Sequence, residues 1–356
     1  MLRYIIPTLQ QHPQVERACP FCQQPAAVIH QQRRLAITDT RLGQVHKLRM
    51  RCLSCQRTFT LQPEGLTPHF QRSQRVRALN LLLYALGLSY EATAQLMTAL
   101  GAKESDTSVY RDVVAAFAAV KRLHQRGHRR VRLAGIDATY QRLAEPHNPH
   151  HESVVMVVDF ADGRLLEVEL LDEQDELAMA ALVKDLQATY GIEDWVSDEH
   201  LTYEAVIAQP HHYLCTTHFK KNKLRRLREL QKQTKSPRLL RDLQELEGLL
   251  RAVPTDGQQQ VKQIYQRQGR VKRPKKGQRA SPAARFKQLA REVYEKWARV
   301  WQYTNNTTER MIGLSLKIRG KLMRGFKVKE HIVGFAQMMG WLRGQGERAE
   351  IGKLLG

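Results

Sequence analysis

Long apolar runs are missing from this chain. The longest, Leu79 to Leu88 with Asn80 inside it, is about half of what a bilayer span needs, so no transmembrane helix is expected. Cysteine is scarce, with five in 356 residues, and four of the five fall in two CxxC pairs, which argues for metal rather than a disulfide framework. Acids are in deficit: 57 lysines and arginines face 35 aspartates and glutamates, for a formal net charge of +22. Polyanions are therefore the expected partners, nucleic acid ahead of a membrane surface. The start, MLRYIIPTLQQHPQ, lacks an apolar h-region and a small-residue cleavage site, so a cytoplasmic, reducing compartment is the expectation.

What is present reads as several domains in series, for which the length is sufficient. Over residues 1–66, Cys19-Pro-Phe-Cys22 and Cys52-Leu-Ser-Cys55 form two knuckles about thirty residues apart, and strand-like segments lie between and after them. Four thiolates at that spacing suit one tetrahedral Zn²⁺ in a zinc ribbon; the alternative is a redox dithiol, which normally occurs once and in a βαβ context. Residues 70–124 read as three helices: Gln71 to Leu86 stopped by Gly87, a second capped by Ser89 and ended by Gly101, and a third opened by Asp106 or Thr107. Short turns between them suit a helix-turn-helix in which Ser108, Tyr110 and Arg111 lead the recognition helix toward base edges; an ordinary three-helix bundle is the alternative.

Residues 129–218 alternate strand and helix. RRVRLAGIDATY is a strand that ends on Asp137, and two strand-like runs follow, joined by Ala161-Asp162-Gly163, a hairpin signal. A helix closed by Gly191, the strand DWVSD ending on Asp198, another helix and the strand-like HHYLCTTHF complete the order. This is the layout of an RNase H-like α/β fold, a mixed sheet with helices on both faces, in which Asp137 and Asp198 would end neighbouring strands. Asp159, Asp162 and the acids from Asp172 to Glu176 are rival carboxylates. A turn accounts for Asp162, and helix N-terminal preference for the 172–176 group. His147, His150 and His151 interleave with Asn148 and Pro149 in what reads as a solvent-facing or DNA-proximal loop.

Residues 219–303 read as an all-α basic insertion. It contains two leucine-patterned helices broken near Ser236-Pro237, a Gly/Pro-interrupted tract with Lys272, Arg273, Lys275 and Lys276, and a helix carrying Trp297 and Trp301. Residues 304–356 begin with Asn305 and Asn306, where Asn306 and Glu309 have the spacing of a capping box. Glu309 is thus a helix cap or a third site carboxylate, and Lys317, Arg319, Lys321 and Arg324 follow it as candidate phosphate contacts. Asp137, Asp198 and Glu309, if brought together, could hold two Mg²⁺ or Mn²⁺ ions for phosphodiester chemistry.

The motifs CPFC and CLSC, GIDATY with Asp137, VSDEH with Asp198, and TNNTTERMIGLSLKIRGKLMRGF with Glu309 follow one another in an order that resembles a DDE transposase of the bacterial insertion-sequence type. That resemblance covers nearly the whole chain. It implies an enzyme that binds the terminal inverted repeats of its element as double-stranded DNA, works as a homodimer or larger synaptic complex beside the bacterial nucleoid, and cleaves and transfers DNA strands. Cys215-Thr-Thr-His218 resembles a CxxH found in several DDE lineages with an insertion before the glutamate, which implies a place near the active site rather than zinc binding. Read without the family, Cys215 is a buried strand residue and His218 a surface histidine. A domesticated, non-catalytic DNA-binding regulator and an RNase H-like nuclease without transposition are the alternatives.

Overall fold

The computed structural model describes residues 3–15, 18–25, 27–124, 129–144, 150–271, 279–323 and 326–355. It is a mixed α/β protein, with a mixed sheet flanked by helices and a cysteine cluster near the N-terminus. Lys272, Arg273, Lys275, Lys276, Arg324 and His147 lie outside the described residues. Two compact units form, one of Met1–Gly127, Tyr140–Glu152 and Ile312–Gly356, the other of His128–Thr139 and Ser153–Met311. No described helix is long and apolar enough to cross a membrane.

The first unit opens with β1 (Arg3–Ile5), followed by β2 (Ala27–Ala36), β3 (Gln44–Cys52) and β4 (Thr58–Leu61), which pair antiparallel in the order β2-β3-β4. Next come α1 (Gln74–Ala85), α2 (Tyr90–Ala99) and α3 (Asp106–His124). The Ser73 and Ser89 hydroxyls accept the N–H groups of Val76 and Ala92, so each fixes the start of its helix. Capping by Ser73 places the first helix start three residues later than Gln71. Asp112, buried on α3, accepts hydrogen bonds from Arg72, Arg77 and Asn80 and so joins α1 to α3.

A five-stranded sheet, most of it in the second unit, is made of β5 (Leu133–Leu143), β6 (His150–Asp159), β7 (Leu165–Leu170), β8 (Asp194–Ser197) and β9 (His212–Leu214), in the order β7-β6-β5-β8-β9. The β6-β7 hairpin is antiparallel, whereas β5, β8 and β9 run parallel. His150 and His151 open β6 instead of lying in a loop, and His150 Nε2 sits 2.9 Å from Glu152 Oε1. Between strands lie α4 (Glu176–Tyr190), capped by Asp175 and ended by Gly191 in the left-handed region, and α5 (Leu201–Val206). Ile136, Val157, Met179, Val183, Trp195 and Tyr203 form the core between this sheet and its helices.

The basic stretch forms α6 (Thr216–Gln233), α7 (Pro237–Ala252), α8 (Gly257–Arg267) and α9 (Pro282–Val300) around a core of its own, including Leu227, Leu243, Leu250, Ile264, Phe286 and Val293. Trp297 belongs to that core and lies against Gly257, where an added Cβ would fall 2.1 Å from the indole. Leucine periodicity therefore describes helix-on-helix packing, with most charges on the outer faces and Lys223 and Asp242 buried as exceptions.

The chain ends with α10 (Asn306–Ile312), a π-helical segment (Gly313–Lys317), α11 (Ile318–Met323), α12 (Lys329–Gly344), β10 (Arg348–Glu350) and a short 3-10 turn. The single helix expected after Glu309 is thus interrupted by one π turn, a feature that often marks functional segments. In the first unit, β10 pairs parallel with β1, and α12 packs on α3, where Gly334 leaves room for the Phe117 ring.

Candidate functional site

The four N-terminal cysteines come from two turns of the same form. Cys19 N–H donates to the Gln24 carbonyl and Gln23 N–H to that of Cys19, and Cys52, Arg57 and Gln56 repeat the pattern. Gln23 and Gln56 take positive φ, 61° and 60°, which closes each turn back on its first cysteine. Cys55 N–H reaches Cys52 Sγ at 3.5 Å and draws that thiol down to about 6. Across the two turns Cys19 and Cys55 stand 3.7 Å apart at sulfur, Cys22 and Cys52 3.6 Å, and all four sulfurs fall within 4.8 Å of one another. A tetrahedron of Zn–S bonds of about 2.3 Å has edges of about 3.8 Å, so the spacing fits a structural metal such as zinc. Four sulfur ligands leave no open coordination position for a substrate.

The acidic site begins with register. β5 pairs with β8 so that Gly135 lies opposite Val196, and Asp137 and Asp198 each stand two residues beyond that pair; Asp198 follows the end of β8 as expected, whereas Asp137 does not end its strand, since β5 runs on to Leu143. Glu309 arrives on the first turn of α10. Gly135 allows the approach, because a Cβ there would meet Thr308 Oγ1 at 2.1 Å and Asn305 Oδ1 at 2.8 Å. Asn305, fully buried, donates from Nδ2 to the Ile136 carbonyl at 3.0 Å and accepts the Thr308 hydroxyl at 2.6 Å. Its own N–H reaches Cys215 Sγ at 3.2 Å. Asn305 and Thr308 therefore fix this helix start, and the expected Asn306 to Glu309 capping box is not what holds it. The Glu309 carboxylate keeps one oxygen buried and without a hydrogen-bond partner among the described residues, 3.6 Å from His218 Nδ1.

Cys215 and His218 stand beside that glutamate, with His218 Nδ1 at 3.6 Å and no hydrogen bond between them. The strand expected across HHYLCTTHF stops at Leu214, because Thr216 turns its N–H and hydroxyl onto the Tyr303 carbonyl at 3.0 and 2.8 Å. Cys215 instead caps α6, which puts His218 in the first helical turn. Cys215, His218 and Glu309 place ligand-capable atoms within 4.8 Å of one another; Asp137, Asp198 and Glu309 do not form so tight a group. The Cys215 sulfur raises His218 to about 9, and the imidazole in turn brings the buried thiol below its usual value. His218 is therefore a cation at neutral pH, facing Glu309 and Asp198.

The carboxylates respond to crowding. Burial, then the charge of Asp198, lifts Asp137 to about 7, with Glu309 and Glu173 adding to it. Asp198 is also raised, by burial and then by Glu173, while His218 and His200 oppose the shift. One Asp198 oxygen is buried with no hydrogen-bond partner among the described residues. Behind it, the Ser197 hydroxyl donates to the Asp198 carbonyl at 2.7 Å and meets His212 Nε2 at 2.8 Å, while burial holds His212 down at about 4.

Rival acids are neutralised elsewhere. Asp159 and Asp162 both pair with Arg129. Glu199, next to Asp198, pairs with Lys223 at 2.6 Å and Lys296 at 2.8 Å. Asp172 and Asp175 accept local N–H groups at the start of α4, as helix N-terminal residues should. Glu173 is the exception that sequence reasoning missed. It is buried, and its charge acts on Asp137, Asp198 and the buried Tyr203 hydroxyl, which is held well above its usual value by burial first. Nothing in the DEQDE string separates it from its neighbours; only the fold turns it inward.

Among the expected DNA contacts, Tyr110 and Arg111 are exposed on the first turns of α3, and Ser108 bonds back to Ser105. Lys317 and Lys321 are exposed, whereas Arg319 is buried against Tyr84. No protein-family model matches this chain, and no curated protein matches it.

Proposed function

We propose that this chain is a DDE-type DNA transposase, in which a zinc ribbon and helix-turn-helix bind terminal inverted repeats and an RNase H-like domain cleaves and joins DNA strands. The observation that carries this reading is the contrast among carboxylates. Asp137, Asp198 and Glu173 have no described cation bonded to them, and Glu309 has only His218 at 3.6 Å, although acids close by are paired with arginine or lysine. A buried oxygen without a partner on each of Asp198 and Glu309 suits a hard divalent cation, so these two, with Asp137 crowded beside them, are the residues that would hold Mg²⁺ or Mn²⁺. Bound there, such ions supply Lewis-acid activation of a water or 3′-hydroxyl and stabilise the leaving oxygen.

The chain's own residues do the arranging. Asn305 sets Glu309 beside Ile136 within β5, Ser197 and His212 steady Asp198, and His218 lends positive charge to both acids. Double-stranded DNA is the partner favoured by the +22 charge, and its binding should weaken steeply with salt. Two element ends must be handled together, which favours a homodimer or larger complex.

The deciding experiment is Mg²⁺-dependent cleavage of DNA carrying the gene's own flanks, by the natural protein and by Glu309→Gln. Cutting at the repeat ends by the natural protein alone, with joining to target DNA, is the expected result. Binding without cutting by both proteins favours the DNA-binding regulator, and cutting without joining favours a nuclease.

A further inference from the structure

Arg319 is an outlier among the buried cations. Arg77, 3 % exposed, is paired with Asp112, and Lys223, 2 % exposed, with Glu199 and Glu292. Arg319 is likewise 3 % exposed, but its guanidinium lies over the Tyr84 ring at 3.5 Å and beside Phe335 at 4.9 Å, donating to the Tyr84 carbonyl at 2.6 Å. Burial lowers its pKa, and among the described residues the groups that oppose this are Tyr84 and Tyr90, with no acid among them. Ring faces and one carbonyl compensate a buried cation only in part, since they carry no net negative charge.

Arg319 also lines a cavity of about 580 Å³ to which five rings contribute: Tyr84, Tyr90, Tyr110, Phe326 and His331. Tyr90 and Tyr110 meet edge to face at 5.5 Å, and Tyr110 and His331 rings lie 5.7 Å apart. Burial keeps His331 below its usual value, so it serves as a ring and not as a second cation. Lys327 is exposed at the lining and adds positive charge, while the exposed carboxylates of Glu91 and Asp106 border it too.

We propose that this cavity binds a nucleotide, with the phosphate at Arg319 and the base stacked on the half-exposed Tyr110 ring. A bare phosphate would leave the aromatic walls unused and meet the rim carboxylates. A nucleoside would leave the guanidinium without its counter-charge. A nucleotide satisfies both, because a planar base stacks on aromatic rings and its phosphate accepts from guanidinium. The ligand is either a free nucleotide or the terminal unit of a DNA strand. Its class rests on the nucleic-acid reading above, but its site shares no residue with the acidic cluster.

The test is calorimetric titration of the full chain with dAMP, deoxyadenosine and inorganic phosphate, for the natural protein, Arg319→Met and Tyr110→Ala. Expected is binding of dAMP at least tenfold tighter than of either fragment, weakened tenfold or more by Arg319→Met and severalfold by Tyr110→Ala. Tyr110 is 40 % exposed, so its variant keeps the fold and decides the matter if Arg319→Met does not. Competition of a 5′-phosphorylated single-stranded oligonucleotide with dAMP assigns the site to a strand end, and its absence to a free nucleotide. No dAMP binding by the natural protein, or equal binding by the folded variants, overturns the proposal. Because binding is read without cleavage, a chain that never cuts DNA can still pass this test, and a transposase can still fail it.

Discussion

The cysteine cluster and the acidic cluster both gather groups that repel one another once ionised, yet they are built in opposite ways. Each half of the cysteine cluster is local: two cysteines, one tight turn and a residue at positive φ, with sulfur spacings already those of a tetrahedral site. The acids come singly, from β5, the approach to α4, the end of β8 and α10, and the trio Asp137, Asp198 and Glu309 stays more open than 4.8 Å. In the first cluster local backbone geometry does the positioning. In the second, sheet register and Asn305 do it, and crowding appears as raised carboxyl pKa values.

The largest effect should follow from breaking the cysteine half of that contrast. Cys22→Ser removes one of the four clustered sulfurs, and among the described residues this region has small apolar clusters, such as Leu48, Met50 and Leu61, to hold it. Structural zinc contributes on the order of 10 kcal/mol to such folds. Metal analysis should fall from one equivalent of zinc toward none, and amide exchange over β2, β3 and β4 should lose its protection. Unchanged metal content would show that these sulfurs are spaced like a metal site without being one.

How much could be read from the chain follows the same division. CPFC and CLSC announce their own geometry, since each knuckle is closed within six residues. The Ser89 cap, the Ala161-Asp162-Gly163 hairpin and Gly191 were legible because they too are local chemistry. Asp137 and Asp198 were legible at one remove, through the order of strands. Glu309 could equally have been a cap, and what separates the readings is Asn305 bonded to Thr308 and Ile136, a contact across 169 residues. The end of β9 was misread because Thr216 is drawn to Val300 and Tyr303 by bonds spanning more than eighty positions. Burial of Arg319 and Glu173 left no trace in periodicity, since each is one polar residue turned inward by tertiary packing.

Asp137→Asn tests whether crowding of the acids costs stability. With a folded-state value of about 7 against an ordinary 3.8, the protonated carboxyl lends stability that is present below the unfolded value and lost as pH rises through about 7. At about 1.36 kcal/mol per unit the loss is of order 4 kcal/mol. Denaturant unfolding of metal-free protein should therefore show stability falling from pH 5 to pH 8. The variant should be flatter over that range and more stable at pH 8, because the Asn oxygen still accepts the Ala138 N–H. Added Mg²⁺ should recover stability in the natural protein and not in the variant. Equal pH dependence in both would place the repulsion elsewhere and bring the two clusters closer in kind.

Glu173→Gln is the finest cut. Its charge stands after burial, Asp198 and Glu309 among the causes that raise Asp137, and directly after burial among those that raise Asp198. Removing it should move the midpoint of the pH-dependent loss downward by less than about one unit, the scale of a single like charge screened by a partly polar site. If Glu173 also helps hold metal, the same variant should weaken Mg²⁺ stabilisation at pH 8. A shifted midpoint with unchanged Mg²⁺ response makes Glu173 a neighbour that tunes the acids. No shift at all would mean that its carboxylate is turned away from them in solution, leaving the acidic cluster with three members drawn from three elements.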